Sequence, residues 1–285
     1  MRLHAFLPTE TPDADPNGVV DLAVHAEELG YHGVWVPDHP LPYYEYREYF
    51  GGVFEPLAIL ANVAARTSRV RLGTGVVVPA MRNPFVVAKQ AATIDCLSHG
   101  RLDLGIGVGI VRQEFVNLGS DFSNRGVRTD EIIRLFRHLF RVGRGPFEGR
   151  YYGLGEAAVF APHPVQGDRI PIWIGGRTEA AWRRAARIGD GWLCAMTEPG
   201  DFARNVASMR ELAGRRVTAG ARIVFGDQTA SVDQVVDILE TWRSIGTDDL
   251  FVWFGAPDGY ADRMDLFAEA MARTPSGSDS LVGSS

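Results

Sequence analysis

The sequence predicts an α/β fold, a (β/α)8 TIM barrel with insertions on the C-terminal face of its strands. Short apolar segments typical of buried strands alternate with segments of helical periodicity along nearly the whole chain. Eight such pairs fit into 285 residues, a length typical of this barrel. Several strand segments run directly into glycine-rich or polar loops, and a barrel binds its ligands with such loops. An open doubly wound sheet is the alternative for this alternation.

The predicted elements follow one another in a regular order. Strands are predicted over residues 3–7, 34–37, 70–78, 102–106, 170–174, 191–194, 221–225 and 249–253. Helices are predicted over residues 19–29, 56–65, 84–97, 128–141, 179–188, 202–215, 232–245 and 259–272. A single domain therefore covers residues 1–273, and the Ser- and Gly-rich tail 274–285 is expected to be disordered.

Two stretches, residues 110–127 and 142–169, do not fit the repeat. The second contains a hairpin-like segment, PFEGRYY. Insertions after the strands on the C-terminal face are where a barrel determines substrate specificity.

The predicted third strand, residues 70–78, is apolar on both faces, as expected for a strand between helices and a barrel core. Gly73 and Gly75 interrupt it. Because glycine weakens a strand, this pair predicts a bulge or a close approach of the backbone to a ligand. Pro84 then marks the first turn of the next helix.

A second glycine-rich segment overlaps the end of the predicted strand 102–106. Gly105, Gly107 and Gly109 suggest a dinucleotide-binding fingerprint, but Ile110 stands at the position of its third glycine. The pattern therefore fails as a Rossmann motif. These glycines either shape a ligand-binding loop or only turn the chain.

Composition argues against several classes of function. The formal net charge is −6 and no basic stripe interleaved with aromatic residues is present, so we do not expect a nucleic acid partner. No apolar run approaches the roughly 18 residues that span a bilayer, so we expect no membrane partner and a cytoplasmic protein. The two cysteines, Cys96 and Cys194, are too few for a disulfide framework, and the histidines show no ligand spacing, so no metal site is predicted.

The loop Gly175-Gly176-Arg177-Thr178 opens directly into a predicted helix. The free N–H groups of the first helical turn, the helix dipole and the guanidinium can together bind a phosphate group. The alternative is a plain glycine turn with a solvated arginine.

His39 follows the predicted second strand and neighbours Asp38. An imidazole that titrates near neutral pH can donate a proton or a hydrogen bond to a reacting oxygen, so His39 is the candidate catalytic residue. A structural histidine is the alternative. The next loop is aromatic and forms either a pocket for a flat or hydrophobic substrate or a packed surface loop. Its aromatic residues are Tyr43, Tyr44, Tyr46, Tyr49 and Phe50.

Four segments of the chain, residues 26–39, 69–109, 119–131 and 170–192, resemble the luciferase-like monooxygenase superfamily. They occur in order and at the spacing of the family. Within it they are most similar to an actinobacterial branch assigned to the deazaflavin coenzyme F420. The resemblance covers nearly the whole chain up to about residue 195, and downstream only the barrel periodicity continues.

The resemblance implies a flavin or deazaflavin across the C-terminal mouth of the barrel. The ends of the second, third and fourth strands would contact it, and the loops after the fifth and sixth strands would hold its phosphate. The resemblance also implies a non-prolyl cis peptide at Gly75-Val76, under the middle ring of the cofactor. The implied cofactor-binding residues are Asp38, Gly75, Val76, Val78, Gly107, Val108, Gly109, Gln113, Gly175, Gly176, Arg177, Thr178, Ala195 and Met196.

The implied reaction is hydride transfer between F420 and an unsaturated or carbonyl small-molecule substrate, with His39 as the catalytic residue. One alternative is an FMN-dependent monooxygenase that receives FMNH2 from a separate reductase. F420 has carbon at ring position 5 where FMN has nitrogen, and this carbon prevents rapid oxygen activation, so the cofactor decides the reaction class. The other alternative is a non-catalytic flavin-binding protein, because a fold alone does not establish function.

Members of the superfamily are commonly dimers that pack through helices early in the barrel. The predicted helices 56–65 and 84–97 are unusually apolar for outer helices of a barrel. An isologous contact between two copies would bury such faces, so a homodimer is predicted.

One substitution departs from the sugar-phosphate dehydrogenases of the superfamily. There, a glutamate that serves as a proton acceptor follows the glycine-rich loop of the fourth strand. In this sequence Ile110 stands at that position, and Gln113 stands where a cofactor-binding asparagine is expected. Oxidation of glucose 6-phosphate is therefore not expected.

Overall fold

A closed barrel of parallel strands forms the centre of the molecule. The computed structural model describes residues 1–10, 14–42 and 54–274. The barrel strands are β1 (Arg2–Phe6), β2 (Gly33–Val36), β3 (Arg71–Thr74), β4 (Leu102–Ile106), β7 (Ile172–Gly175), β8 (Gly191–Ala195), β9 (Thr218–Val224) and β10 (Asp249–Trp253). They follow one another in chain order around the barrel, and β10 closes it by pairing with β1. The predicted TIM barrel is confirmed.

Helices cover the outside of the barrel. They are α1 (Pro16–Glu28), α2 (Pro56–Arg66), α3 (Pro84–Leu97), α4 (Arg112–Asn117), α5 (Arg125–Val142), α6 (Glu179–Ile188), α7 (Pro199–Ala213), α8 (Val232–Ser244) and α9 (Tyr260–Arg273). Polar side chains determine where several of them begin. Asp15 and Asn83 each accept two backbone N–H hydrogen bonds at the start of α1 and α3, and Ser231 and Gln234 form a capping box on α8.

The predicted elements are confirmed, but several of their ends are shifted. β9 begins at Thr218 and not at residue 221, because its first residues already pair with β8. α7 ends at Ala213 and not at residue 215, because Gly214 adopts the left-handed conformation that terminates a helix.

The two insertions lie between β4 and β7. The first contains α4, a short helix that the sequence pattern did not predict. The second contains the predicted hairpin, formed by the antiparallel strands β5 (Phe147–Glu148) and β6 (Gly153–Leu154). The buried carboxylate of Glu131 on α5 accepts the backbone N–H groups of residues 150 to 152, so the hairpin turn is fixed to that helix.

Aromatic side chains fill the interior of the barrel. Phe6, Trp35, Trp173 and Phe251 are buried there together with Leu193. The ring centroids of Trp35 and Phe251 lie 4.8 Å apart, and those of Trp35 and Trp173 lie 5.7 Å apart, both edge to face. The barrel is therefore a packed core and not a channel.

The glycines of the third strand face this core. A Cβ atom at Gly73 would overlap the Trp35 ring, and one at Gly75 would overlap the Phe6 ring. The missing side chains of these glycines thus leave room for the aromatic core, and an approach of the Gly75 backbone to a ligand stays a prediction.

The third strand is also shorter than predicted. β3 ends at Thr74, and the next peptide bond, Gly75-Val76, is cis, as the resemblance implies. The chain returns to the barrel only at Val77, which forms a single bridge with Ile106.

The apolar residues of α2 and α3 pack against the barrel of the same chain. Leu57, Leu60, Val63 and Val87 are buried in this way. The apolar character of the two helices therefore does not require a second copy, which corrects the reason given for a dimer.

The part of the chain that the structure describes contains no helix that is both long and apolar enough to cross a bilayer. The Ser- and Gly-rich tail from residue 275 onward lies outside the described residues. The aromatic loop of Tyr43, Tyr44, Tyr46, Tyr49 and Phe50 also lies outside them.

Candidate active site at the mouth of the barrel

The loops at the C-terminal ends of the strands surround one mouth. All eight strands of the barrel are parallel, so the predicted residues after β2, β3, β4, β7 and β8 lie at the same end of it. The sequence predictions therefore converge on one site. The opposite end of the barrel carries none of them.

Val76 lies at the centre of this mouth. A Cβ atom at Gly107 would overlap its side chain, and one at Gly175 would lie 2.6 Å from its Cγ1. Val76 is partly exposed and packs on the aromatic core beneath it. It thus forms an apolar platform that the glycines after β4 and β7 make possible.

Asp38 fixes the loop that carries this platform. Its buried carboxylate accepts hydrogen bonds from the Val78 N–H at 3.0 Å and from Arg82 Nη2 at 2.5 Å. Arg82 also pairs with Glu55 at 3.1 Å. The two oxygens of Asp38 are thus bonded within the protein, and direct contact of Asp38 with a cofactor stays a prediction.

His39 is paired with a buried carboxylate. Its Nδ1 lies 3.3 Å from Oε2 of Glu114, whose side chain is 1% exposed. Glu114 also accepts a hydrogen bond from the N–H of Leu41 at 3.3 Å, which holds the loop after His39 against α4. Sequence reasoning missed Glu114. Its only signal is an acidic residue beside Phe115 in an insertion without a clear period.

A second buried ion pair lies across the mouth, between Glu10 and Arg222. Arg222 Nη2 is 3.9 Å from Glu10 Oε2, and its Cζ lies 4.3 Å from the centroid of the Phe6 ring. Burial raises the pKa of Glu10, while Arg222 and His39 act in the opposite direction. Burial lowers the pKa of Arg222, while Glu10 raises it. Sequence reasoning missed both residues, although a lone arginine inside the apolar strand β9 is a usable signal.

Arg177 lines a cleft of about 330 Å³ beside the mouth. The other lining residues are Met196, Thr197, Glu198, Asp201, Arg204 and Asn205. The guanidinium of Arg177 forms no hydrogen bond or ion pair with any residue that the structure describes. Thr178 starts α6 without a side-chain cap, so the first N–H groups of this helix stay uncapped.

The remaining predicted residues differ in their surroundings. Gly109 has φ +77°, and a Cβ atom there would lie 2.6 Å from the Phe115 ring, so packing alone accounts for this glycine. Gln113 is exposed on α4, where its amide donates to Asn117 at 2.9 Å. Met196 projects into solvent beside Ala195, and its N–H donates to the carbonyl of Arg222 at 3.2 Å. Val108 is partly buried in the loop after β4.

The parallel barrel with the candidate site at its mouth defines the class of TIM-barrel proteins. Comparison with known families identifies the family within this class. The model of the luciferase-like monooxygenase family matches residues 1–265, and the chain belongs to that family.

Similar curated proteins from actinobacteria share one name. The F420-dependent glucose-6-phosphate dehydrogenase of Kineococcus radiotolerans is 40% identical over 183 residues, which are 63% of this chain and 52% of that protein. The enzyme of the same name from Mycobacterium avium is 38% identical over 184 residues, 63% of this chain and 53% of that protein. The chain therefore spans about half the length of the curated relatives it matches.

Solved structures share the fold over nearly the whole chain. A monooxygenase from Streptomyces bottropensis superposes with a TM-score of 0.84 and 24% identity, covering 95% of this chain and 99% of that one. The F420-dependent tetrahydromethanopterin reductase from Methanopyrus kandleri gives a TM-score of 0.78 and 20% identity, covering 94% and 97%. At these identities the likeness establishes the fold alone.

Proposed function

We propose that this chain is an oxidoreductase that transfers a hydride between coenzyme F420 and a small molecule with a carbonyl group or an unsaturated bond. The observation that carries the proposal is the arrangement of the mouth. An apolar platform at Val76 lies between a cleft lined by Arg177 and a histidine paired with the buried Glu114. The names of the relatives, F420-dependent dehydrogenases, support the choice of cofactor.

The residues at the mouth fit a planar ring that carries a phosphate-bearing side chain. Arg177 lines the cleft, and α6 begins two residues after it, so Arg177 and the uncapped N–H groups of α6 would together hold the phosphate. Val76, Gly107 and Ala195 would contact the ring. When bound, F420 accepts or delivers the hydride at carbon 5 of its ring.

His39 would exchange a proton with the oxygen of the substrate. The Glu114 carboxylate at Nδ1 favours the tautomer that is protonated there. It also fixes the plane of the ring, because the buried carboxylate is itself held by the N–H of Leu41. Glu114 is thus a positioning residue, and His39 is the proposed catalytic residue.

Titration of the purified protein with F420 and with FMN tests the cofactor. We expect F420 to bind at least about tenfold more tightly than FMN, because the proposal requires the deazaflavin. Tighter binding of FMN, together with oxygen consumption when FMNH2 is provided by a separate reductase, would favour the monooxygenase instead. Binding of either cofactor without turnover of any carbonyl or unsaturated compound would favour a non-catalytic flavin-binding protein.

Glucose 6-phosphate is excluded from the proposed substrates, despite the names of the relatives. Ile110, which replaces the expected glutamate, is 80% exposed and has no group that can accept a proton. We expect no reduction of F420 by glucose 6-phosphate in an assay in which bound F420 is verified by its fluorescence.

A further inference from the structure

Three unpartnered polar atoms lie on neighbouring strands at the mouth. Among the described residues, six buried side-chain polar atoms have no hydrogen-bond partner: Thr9 Oγ1, Asn124 Oδ1, Arg222 Nε, Thr247 Oγ1, Trp253 Nε1 and Arg263 Nη1. Arg222 belongs to β9, Trp253 ends β10 and Thr9 follows β1, and these strands are adjacent in the barrel. Buried polar groups normally have partners, so three such atoms in one region require an explanation.

The side chains of Arg222 and Trp253 lie on the inner side of the barrel. Residue 222 is in register with Phe251, and Trp253 is in register with Phe6, and both of these aromatic residues belong to the barrel core. The Cζ atom of Arg222 is 4.3 Å from the Phe6 centroid and 5.9 Å from the Trp253 centroid. The guanidinium therefore lies directly above the aromatic core, within the mouth.

Arg101, an arginine with a structural role, differs from Arg222 in its hydrogen bonds. Arg101 is 8% exposed and donates five hydrogen bonds, to the carbonyls of residues 64, 67, 70 and 98 and to Thr67 Oγ1. The side chain of Arg222 is 18% exposed and donates none to the described residues. Its ion-pair partner, Glu10, is 3.9 Å away, which is too long for a hydrogen bond. A folding role thus does not account for Arg222.

The chemistry of the unpartnered groups indicates what would bind them. A guanidinium and an indole N–H only donate, so the missing partner is an acceptor. The planar fork of arginine matches the two oxygens of a carboxylate. The walls around it are the Phe6 and Trp253 rings, which suit an apolar or aromatic group next to that carboxylate.

We propose that Arg222 and Trp253 form a carboxylate-binding subsite, and that the substrate of this chain is a small unsaturated or carbonyl compound that carries a carboxylate. The proposal rests on the proposed function in taking the mouth as the substrate site. Arg222 on β9 and His39 after β2 lie at the same end of the barrel. A substrate held at Arg222 therefore occupies the mouth that His39 also lines.

Calorimetric titration with cinnamate, and with its neutral isostere cinnamamide, tests the subsite. We expect the wild-type protein to bind cinnamate at least about tenfold more tightly than cinnamamide, the scale of one charge-assisted hydrogen bond. Arg222→Gln should weaken cinnamate binding by about 10- to 100-fold and abolish the preference. Equal binding of the two compounds by the wild type, or no detectable binding of cinnamate, would overturn the proposal.

Matched variants show whether a loss of cinnamate binding comes from the subsite, from misfolding or from the change in net charge. Arg216→Gln removes a positive charge from an exposed side chain at the opposite end of the barrel and should bind cinnamate like the wild type. Trp253→Phe keeps an aromatic side chain, although a smaller one, and removes the N–H donor, so cinnamate binding should weaken by about threefold or more. Wild-type cinnamate affinity in both folded Arg222→Gln and Trp253→Phe contradicts the assignment.

The same protein samples distinguish failure of this inference from failure of the proposed function. F420 titration of Arg222→Gln should give the wild-type affinity, because Arg177 and not Arg222 is proposed to hold the cofactor. A loss of F420 affinity in this variant would assign Arg222 to the cofactor and overturn the subsite. Absence of F420 binding to the wild type would overturn the proposed function, while the cinnamate titrations would still decide the carboxylate subsite.

Discussion

At the end of the barrel opposite the mouth, hydrogen bonds determine which nitrogen of His4 carries the proton. Trp35 Nε1 can only donate, and it lies 3.0 Å from His4 Nδ1, so that nitrogen is an acceptor. His4 Nε2 therefore carries the proton and donates it to Asp249 Oδ1 at 2.7 Å. Burial raises the pKa of Asp249, but His4 and Arg2 outweigh this effect and lower it. This network lies opposite the mouth, on the face of a barrel where paired residues typically contribute to stability.

His32 lies beside this network and leads to a prediction for the pH dependence of stability. Burial, together with His4 and Arg2, lowers the pKa of His32 to about 4. A histidine in the unfolded chain titrates near pH 6.5, so between these values the unfolded state binds more protons. The free energy of unfolding should therefore fall as the pH falls from about 6.5 to 4. His32→Gln should remove about 1 to 2 kcal/mol of this fall, which denaturant unfolding at a series of pH values measures.

The control for His32 is His163→Gln, because His163 is exposed. The raised pKa of Glu10 acts with the opposite sign, since it makes the folded state bind protons more tightly. Only the difference between wild type and variant is therefore informative. An identical pH dependence in both proteins would contradict the prediction.

At the mouth, Arg177 provides a test of the phosphate site. Arg177→Ala should weaken F420 binding by about 1.5 to 3 kcal/mol, because it removes a charge-assisted hydrogen bond to the phosphate. Quenching of F420 fluorescence on titration measures the affinity. Arg187→Ala, on the exposed side of the last turn of the same helix, is the matched control. Equal affinities of wild type and Arg177→Ala would remove this arginine from the site.

His39 provides the test of catalysis. His39→Ala should lower single-turnover rates by about 100- to 10,000-fold while F420 affinity stays nearly unchanged, if the imidazole is a general acid. Glu114→Gln should leave part of the rate but shift its pH profile, because the partner of Nδ1 loses its charge. Turnover, F420 affinity and thermal stability are measured on the same preparations.

The outcomes for His39 separate the alternatives. Activity and melting temperature that fall together would indicate a structural histidine. A His39→Ala protein with wild-type turnover in a working assay would end the catalytic assignment. For a non-catalytic flavin-binding protein, the substitution would change only stability.

The residues that sequence reasoning found and missed differ in how their roles arise. His39 and the loop from Gly175 to Thr178 are visible because their signals are local: a strand end and a helix start. Glu114 and Arg222 gain their roles from partners 75 and 212 positions away, His39 and Glu10. A single sequence does not indicate which residues far apart in the chain contact each other in the fold.

At the scale of elements, local periodicity predicted the barrel strands and their helices, because a buried strand and an amphipathic helix each have their own pattern. It failed where the structure depends on packing across strands. β3 reads as one long strand, yet it ends at Thr74, where the chain leaves the ladder. α4 was missed because it has only six residues and no side-chain cap.

Gly73 in β3 allows a prediction for the free energy of unfolding. Gly73→Ala should destabilise the fold by about 1 to 3 kcal/mol or more, because the new Cβ atom would overlap the buried Trp35 ring. Gly155→Ala is the control, since a Cβ atom there meets nothing within 4 Å. Urea denaturation of both variants measures the difference. A Gly73→Ala protein as stable as the control would show that the core ring can shift at little cost.

At the scale of the whole molecule, the two ends of the barrel have different roles. The end opposite the mouth contains paired groups, such as Arg71 with Asp103 at 2.7 Å and Asp249 with His4 and Arg2. The mouth contains groups that lack partners in the described chain, among them Arg177 and the Arg222 Nε atom. This contrast indicates that binding at the mouth completes the hydrogen bonding that folding leaves unfinished.

We expect two copies of this chain to pack against each other through α3. Although most apolar residues of α3 face their own barrel, Val86 and Leu97 are each 53% exposed. They are 11 positions apart, about three turns, so they lie on one face of α3. Exposed apolar residues on one helix face suit an isologous contact, and we expect a dimer by light scattering at micromolar concentration. Val86→Asp combined with Leu97→Asp should yield monomers, because the dimer would bury two carboxylates per copy.

The control for assembly is Leu212→Asp, which places the same charge on an exposed apolar residue of α7. This variant should remain dimeric. A monomeric wild type would refute the dimer itself, whereas a dimer that persists in the double variant would move the interface to another face. Because the mouth is formed by loops at the strand ends and α3 lies outside the barrel, the monomeric variant should also keep its affinity for F420. Loss of that affinity would mean that the second copy supports the cofactor site.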